Sequence, residues 1–116
     1  MMYVEIADAI NDKILTGVYQ AGRRVPSIRL TALDSQVNHN TVIRAYDLLE
    51  REGIIQNQRG IGFSVTAEAK DIIIHKRKEW FYHELLPDVF RQMRLLGIEL
   101  NEIWLDYSSQ NNSKIR

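Results

Sequence analysis

Cysteine is absent from the 116 residues, which excludes a disulfide framework and any thiolate metal site. Neither sign of charge is in excess, because fifteen basic residues balance fifteen acidic ones. The basic surplus usual in a nucleic-acid binder is therefore missing from the sum, although association answers to a local patch and not to the total. No run approaches the ~18 apolar residues that span a membrane. The N-terminus carries acids in its first turns and no long apolar stretch, so no signal-peptide pattern is visible. These absences suit a cytoplasmic protein. There is no internal repeat, no paired-carboxylate pocket, no nucleophile–base arrangement and no phosphate-cradling glycine loop; Arg59-Gly60-Ile61-Gly62 is too short and wrongly placed for one. An enzyme is not expected, and no cofactor is called for.

What is present is an apolar fraction of 45%, enough for the core of one small domain with an appendage. A domain of this size has little stability to spare unless it pairs with something. Tyr3, Ile6, Ala7, Ile10 and Ile14 recur at helical spacing, with Glu5, Asp8 and Asp12 facing away and Gly17 as the stop. This helix, Tyr3 to Thr16, starts so near the beginning of the chain that either its first turn frays or a segment precedes it. The loop "GVYQAGRRVPS" follows, with room for a very short strand at Arg24-Val25. Pro26-Ser27 is a helix-start signal with Ser27 as N-cap. A second helix runs from Ile28 to Asp34, with Leu30 and Leu33 expected to point inward. Asn38 caps a third helix, His39 to Glu52, whose inward set is Val42, Ala45, Tyr46 and Leu49 and whose stop is Gly53. Ile55 to Gln58 and Phe63 to Val65 then read as two short strands around a glycine turn. The expected fold is mainly α with one small β-hairpin: a winged helix-turn-helix followed by a short helical segment.

The third helix carries the chemistry. Opposite its packing face stand Asn40, Ile43, Arg44 and Asp47, with His39 at its start. In a helix-turn-helix pair the second helix enters the major groove, where asparagine suits adenine and arginine suits guanine. Thr41 and the free N–H groups of the first turn suit a phosphate oxygen. Arg23 and Arg24 lie in the loop before the second helix, Arg29 in its first turn and Arg59 at the wing tip, where Gly60 and Gly62 permit close backbone approach. Acids on the first helix and arginines on this face reconcile a neutral sum with a basic patch. Winged folds also serve as protein-interaction modules, which is the alternative from periodicity alone.

At these residues the chain resembles the GntR family of bacterial transcription regulators. The motifs "ILTGVYQAGRRVPSIR", "VNHNTVIRAYDLLEREGII" and "RGIGFSV" carry the resemblance, which covers residues 3 to 65. About fifty residues remain beyond the wing, too few for the large ligand-binding or aminotransferase-like domains of other branches. The short helical tail with "LLGIELNEIW" looks like the YtrA-like branch, for which the resemblance implies homodimerisation through the two C-terminal helices and control of transport genes. It marks Arg29, Asn38 to Thr41, Ile43 and Arg44 as DNA contacts, and Arg59 and Gly60 as wing contacts in the minor groove. His39 and Ile43 stand where many members carry arginine, and Gln36 replaces the usual glycine of the turn. Ile43 is accordingly expected to meet a thymine methyl group.

The candidate DNA surface is thus Arg23, Arg24, Ser27, Arg29, Asn38, His39, Asn40, Thr41, Ile43, Arg44, Arg59 and Gly60. The expected domains are 1–66, the winged DNA-binding unit; 67–107, the helical dimerisation region; and 108–116, a flexible tail. In the second region Ile73, Trp80, Phe81, Leu85, Val89, Phe90, Met93, Leu96, Ile103 and Trp104 form the candidate dimer interface, since exposed apolar patches signal association. Pro87 should kink or break the helix that carries them, and the last helix is expected to run from Glu99 to Tyr107. His75, Glu79 and His83 share one helical face at four-residue steps, which admits a metal site but reads better as a solvated or interfacial face. "HKRKE", residues 75 to 79, likewise reads better as a solvated face than as a nucleic-acid patch. The expectation is a homodimeric repressor on a roughly palindromic double-stranded operator, with room for a small-molecule effector and no membrane partner. The alternatives are a ligand- or metal-sensing dimer, and a winged-helix interaction module without specific DNA binding.

Overall fold

The computed structural model describes the backbone of residues 2–115 and the side chains of residues 2–111. Helix α1 (Met2–Leu15) turns Ile6, Ala7, Ile10 and Ile14 into the core, as their three- and four-residue spacing requires. Helix α2 (Ile28–Ser35) starts at Ser27, whose Oγ accepts the Leu30 N–H at 3.1 Å and so satisfies one orphan donor of the first turn. It ends at Gln36, with φ 55° and ψ 43°. That left-handed conformation puts Cβ close to the following carbonyl oxygen and favours glycine. Helix α3 (His39–Arg51) starts at Asn38, whose Oδ1 accepts the Asn40 N–H at 2.7 Å. Val42, Ala45, Tyr46 and Leu49 on its inner face are each 0% exposed. Burial of the Leu49 side chain alone stabilises the fold by about 1.5–3 kcal/mol.

Strands β1 (Ile55–Gln58) and β2 (Gly62–Val65) pair antiparallel, Ile55 opposite Val65 and Gln58 opposite Gly62. Thr66 closes the base of the hairpin: its Oγ1 donates to the Gly53 carbonyl at 2.6 Å and its N–H to the Ile54 carbonyl at 3.0 Å. Tyr46 ties the parts together. Its ring meets Phe63 of β2 edge-on at 5.1 Å. Its Oη donates to the Pro26 carbonyl at 2.7 Å and lies 2.8 Å from Thr31 Oγ1 of α2. The order of three helices and a hairpin is the winged helix-turn-helix that the residue pattern predicts.

Helix α4 (Ala69–Trp80) adds Ala69 and Ile73 to the same core, each 1% exposed. Arg77 donates to Asp12 Oδ1 at 2.6 Å and to the Asp8 carbonyl at 3.2 Å, and Lys76 pairs with Glu52. The chain therefore divides into Met1–Arg77 and Lys78–Arg116, beyond the boundary placed after residue 66.

Four expectations change. Leu30 and Leu33 do not point inward; they are 47% and 73% exposed. In so short a helix Ile28 and Ala32 take the core side, and at roughly 100° per residue Leu30 and Leu33 fall on the far side. Ile73 belongs to the winged core and is not free to line an interface between copies. At Arg24-Val25 there is no strand, only a bridge from Arg24 to Ser64, with the Val25 N–H donating to the Phe63 carbonyl at 3.0 Å. The last helix does not stop at Tyr107 but runs Leu100–Ile115, because no glycine or proline interrupts residues 108–115. Arg116 of the expected tail lies outside the described residues.

In the C-terminal unit a π-helical turn, Phe81–Leu85, precedes helix α5 (Leu86–Leu96). Pro87 has no N–H, and its ring presses toward the carbonyl four residues back. The widened turn accommodates it: the Leu86 N–H donates to the Phe81 carbonyl, five residues back. Gly97, at φ 67°, ends α5. Helix α6 (Leu100–Ile115) opens with Glu102 reaching back to the Glu99 N–H at 2.7 Å, one half of a capping box. No residue from 78 to 111 is buried. Among the described helices none is long and apolar enough to cross a membrane.

Candidate nucleic-acid interface

Helix α3 presents two opposed faces. While its inner side is sealed in the core, Asn40, Arg44, Asp47 and Arg51 are exposed, with Thr41 and Ile43 half-buried at the margins and His39 exposed at the N-terminus. Ser27 and Asn38 have a structural duty within the candidate surface, since each caps the helix it precedes. With the Asn40 N–H on the Asn38 side chain and the Thr41 N–H on the Asn38 carbonyl at 3.0 Å, what this exposed helix end offers an anion is chiefly the helix dipole.

The wing tip is built by glycine. The Ile61 N–H donates to the Gln58 carbonyl at 2.9 Å across Arg59 and Gly60. Gly60 takes φ 80° while Arg59 keeps negative φ, the pattern of a type II turn. Both are exposed. At the root, Gly62 has φ 107°, and a Cβ there would stand 3.3 Å from Arg24 Nη2. The absence of a side chain at Gly62 thus gives the Arg24 guanidinium its place beside β2.

The charges are used in two ways. In the 75–79 run, Lys76 and Arg77 are paired with Glu52 and Asp12 inside the winged unit. The guanidinium groups of Arg23, Arg24, Arg29, Arg44 and Arg59 make no hydrogen bond and no ion pair among the described residues. Arg44 alone of these has a ring contact: its Cζ lies 4.2 Å from the centroid of the Tyr3 ring. Helical spacing marks Tyr3 only as a packing residue. Its half-buried place at the edge of the core leaves part of the ring for a second neighbour.

The candidate interface residues of the C-terminal unit are open. Trp80, Phe81, Leu85, Val89, Phe90, Leu96 and Trp104 are all exposed, while Met93 and Ile103 are half-buried. Trp104 stacks on Tyr107 at 6.0 Å. Among the described residues no group of three His, Asp or Glu side chains is placed to hold a metal ion; His83 Nε2 lies 3.2 Å from Glu79 Oε2.

Comparison with known proteins agrees with this geometry. Residues 2–65 match the profile of the bacterial regulatory proteins of the gntR family. The chain is 32% identical over 102 residues to the helix-turn-helix transcriptional regulator YhcF of Bacillus subtilis, covering 88% of this chain and 83% of that one. It is also 32% identical over 102 residues to the transcriptional repressor YtrA of the same organism, covering 88% and 78%. Among solved structures, a GntR family transcriptional regulator from Bacteroides thetaiotaomicron is 41% identical with a TM-score of 0.79, over 98% of this chain and 99% of that one. The chain belongs to the gntR family of bacterial regulatory proteins; it is a DNA-binding regulator of transcription and not an enzyme.

Proposed function

We propose that the protein is a cytoplasmic homodimeric repressor that reads a palindromic operator, with α3 in the major groove and the Arg59-Gly60 wing tip in the minor groove. The observation that carries the homodimer is the C-terminal unit. It exposes Trp80, Phe81, Leu85, Phe90, Leu96 and Trp104 and buries no described residue. An apolar surface of that extent marks an association site, and a second copy of the same face is the partner that closes it with two-fold symmetry. Two winged units related by such an axis read two half-sites in inverted repeat. The unpaired arginines from the loop before α2 to the wing supply the phosphate and base contacts. Repression is supported by the name of YtrA, a relative matched over most of both chains. A small-molecule effector is accommodated by this design if it changes the angle between the two winged domains.

The test is selection of bound duplexes from a random DNA pool, followed by sedimentation and a promoter reporter. Enrichment of an inverted repeat, a dimer that Trp80→Asp converts to monomer, and reduced transcription from a promoter overlapping the enriched site are expected. A monomeric wild-type chain or an enriched site without two-fold symmetry would overturn the reading.

A further inference from the structure

We propose that Tyr3 is a positioning residue for Arg44: its ring holds the guanidinium by the face and leaves the hydrogen-bonding edge free for DNA. The inference rests on the reading of Arg44 as a DNA contact and deepens it. Tyr3 sits in the first turn of α1, half-buried against the winged core. Arg44 is exposed on the outward face of α3, one turn beyond Asn40. The 4.2 Å from Arg44 Cζ to the ring centroid is well within the ~6 Å reach of a cation–π contact. With no hydrogen bond or ion pair on Arg44, the ring is what fixes its direction.

The chemistry of the two contacts is compatible. A guanidinium is planar, and all its N–H donors lie in that plane. Stacking occupies the face, whereas a guanine O6/N7 edge or a phosphate is bound by the fork of in-plane donors. A carboxylate partner would instead consume the donors. Asp47 lies three residues away on the same face and makes no pair with Arg44. An unsupported arginine on an exposed helix face samples many rotamers, and ordering it on binding weakens affinity. Tyr3 removes part of that cost by ordering the side chain beforehand. Lysine at this position could not replace it, since an ammonium lacks the planar fork.

The test uses the full chain and the duplex enriched from the random pool. Tyr3→Leu should weaken binding roughly two- to five-fold per protomer, the scale of an exposed cation–π contact, while Tyr3→Phe retains wild-type affinity. In an Arg44→Ala background, Tyr3→Leu should change nothing. A silent or tighter-binding Tyr3→Leu, or an equal loss in both backgrounds, overturns the proposal in favour of a parked arginine or a purely structural tyrosine. A measurement without DNA checks the geometry. The Arg44 side-chain protons should show an upfield ring-current shift in wild type and Tyr3→Phe that Tyr3→Leu abolishes, and absence of that shift in wild type also overturns it. Wild-type affinity for Arg44→Ala retires the parent assignment of Arg44 as a contact, and this inference with it. Weak binding by Arg44→Ala with a silent Tyr3→Leu leaves the parent assignment standing and removes this inference alone.

Discussion

Tyr46→Phe isolates one oxygen atom. The ring keeps its place, and the edge-on contact with Phe63 at 5.1 Å is retained, so no cavity forms. What is lost is a bond to the Pro26 carbonyl at 2.7 Å and one shared with Thr31 Oγ1 at 2.8 Å. A net hydrogen bond is worth about 0.5–1.5 kcal/mol, and a buried acceptor left without a donor costs about 1–3 kcal/mol. Thr31 and Pro26 are only partly buried, so water can recover some of this, and a loss of about 1–3 kcal/mol follows. The assay is urea unfolding at pH 7, repeated upward to pH 11. Burial pushes the Tyr46 phenol above its ordinary value, the neighbouring Tyr19 adds to the rise, and the Thr31 hydrogen bond opposes it. The folded state thus favours the protonated phenol. Its contribution is complete below the unfolded value of about 10 and is lost as pH climbs from there through the raised folded value. The phenylalanine variant has no such group, while other tyrosines and lysines titrate in both proteins. The stability gap between wild type and variant should therefore narrow above pH 10. A variant within about 0.5 kcal/mol of wild type at pH 7, or a gap that stays constant to pH 11, would refute the reasoning.

Gln36→Gly relieves the left-handed backbone at the end of α2 and should raise stability by about 0.5–1 kcal/mol after the greater flexibility of unfolded glycine is subtracted; a lower urea midpoint would contradict the strain. Gly62→Ala meets both φ 107° and the Arg24 guanidinium at 3.3 Å, and should lose about 1–2 kcal/mol in thermal unfolding, with unchanged stability as the contrary result. Arg59→Ala should lower the slope of log affinity against log salt by about 0.9 for each wing that touches a phosphate, and an unaltered slope would take the wing out of the interface. Arg29→Ala should weaken DNA binding by about 1–3 kcal/mol at constant stability, whereas Arg77→Ala should lower stability by up to about 1 kcal/mol at constant DNA affinity; exchange of those two outcomes would reverse the roles assigned to free and paired arginines.

Local signals were sufficient where one interaction decides an element. Helix α3 was legible because its period, its Asn38 cap and Gly53 all agree, and the hairpin because a change of period coincides with glycines that can take positive φ. The misplacement of Leu30 and Leu33 has a different origin. An eight-residue helix holds too few turns for periodicity to choose a face, and the choice falls to Ile28 and Ala32 through tertiary packing. Ile73 misled for a related reason. An apolar stripe that continues along α4 does not reveal that Ala69 and Ile73 pack in one core while Trp80 stands exposed. The bonds of Tyr46 to Pro26 and Thr31, and the contact of the Arg44 guanidinium with the Tyr3 ring, join residues distant in sequence, so no spacing rule exposes them. In the candidate site, the residue types facing outward on α3 were readable. The pairing state of each arginine was not.

That pairing state resolves the neutral charge. A basic residue can fasten the fold or address a ligand, and the geometry of its donors separates the two. Arg77 directs one nitrogen to a carboxylate and another to a backbone carbonyl of α1, and Lys76 meets Glu52 at the end of α3; these cations compensate acids locally and present little field to a distant phosphate. Arg23, Arg24, Arg29 and Arg59 have no such compensation. A free guanidinium at the surface is hydrated much as it is in the unfolded chain, so it adds almost nothing to folding, and its field reaches outward to about a Debye length, ~10 Å at moderate salt. Fifteen cations and fifteen anions therefore do not cancel where it matters. Asp12 of α1 and Glu52 at the end of α3 are matched by α4 within the fold, whereas Arg23, Arg24, Arg29 and Arg59 have no counter-ion among the described residues and leave their charge to a polyanion.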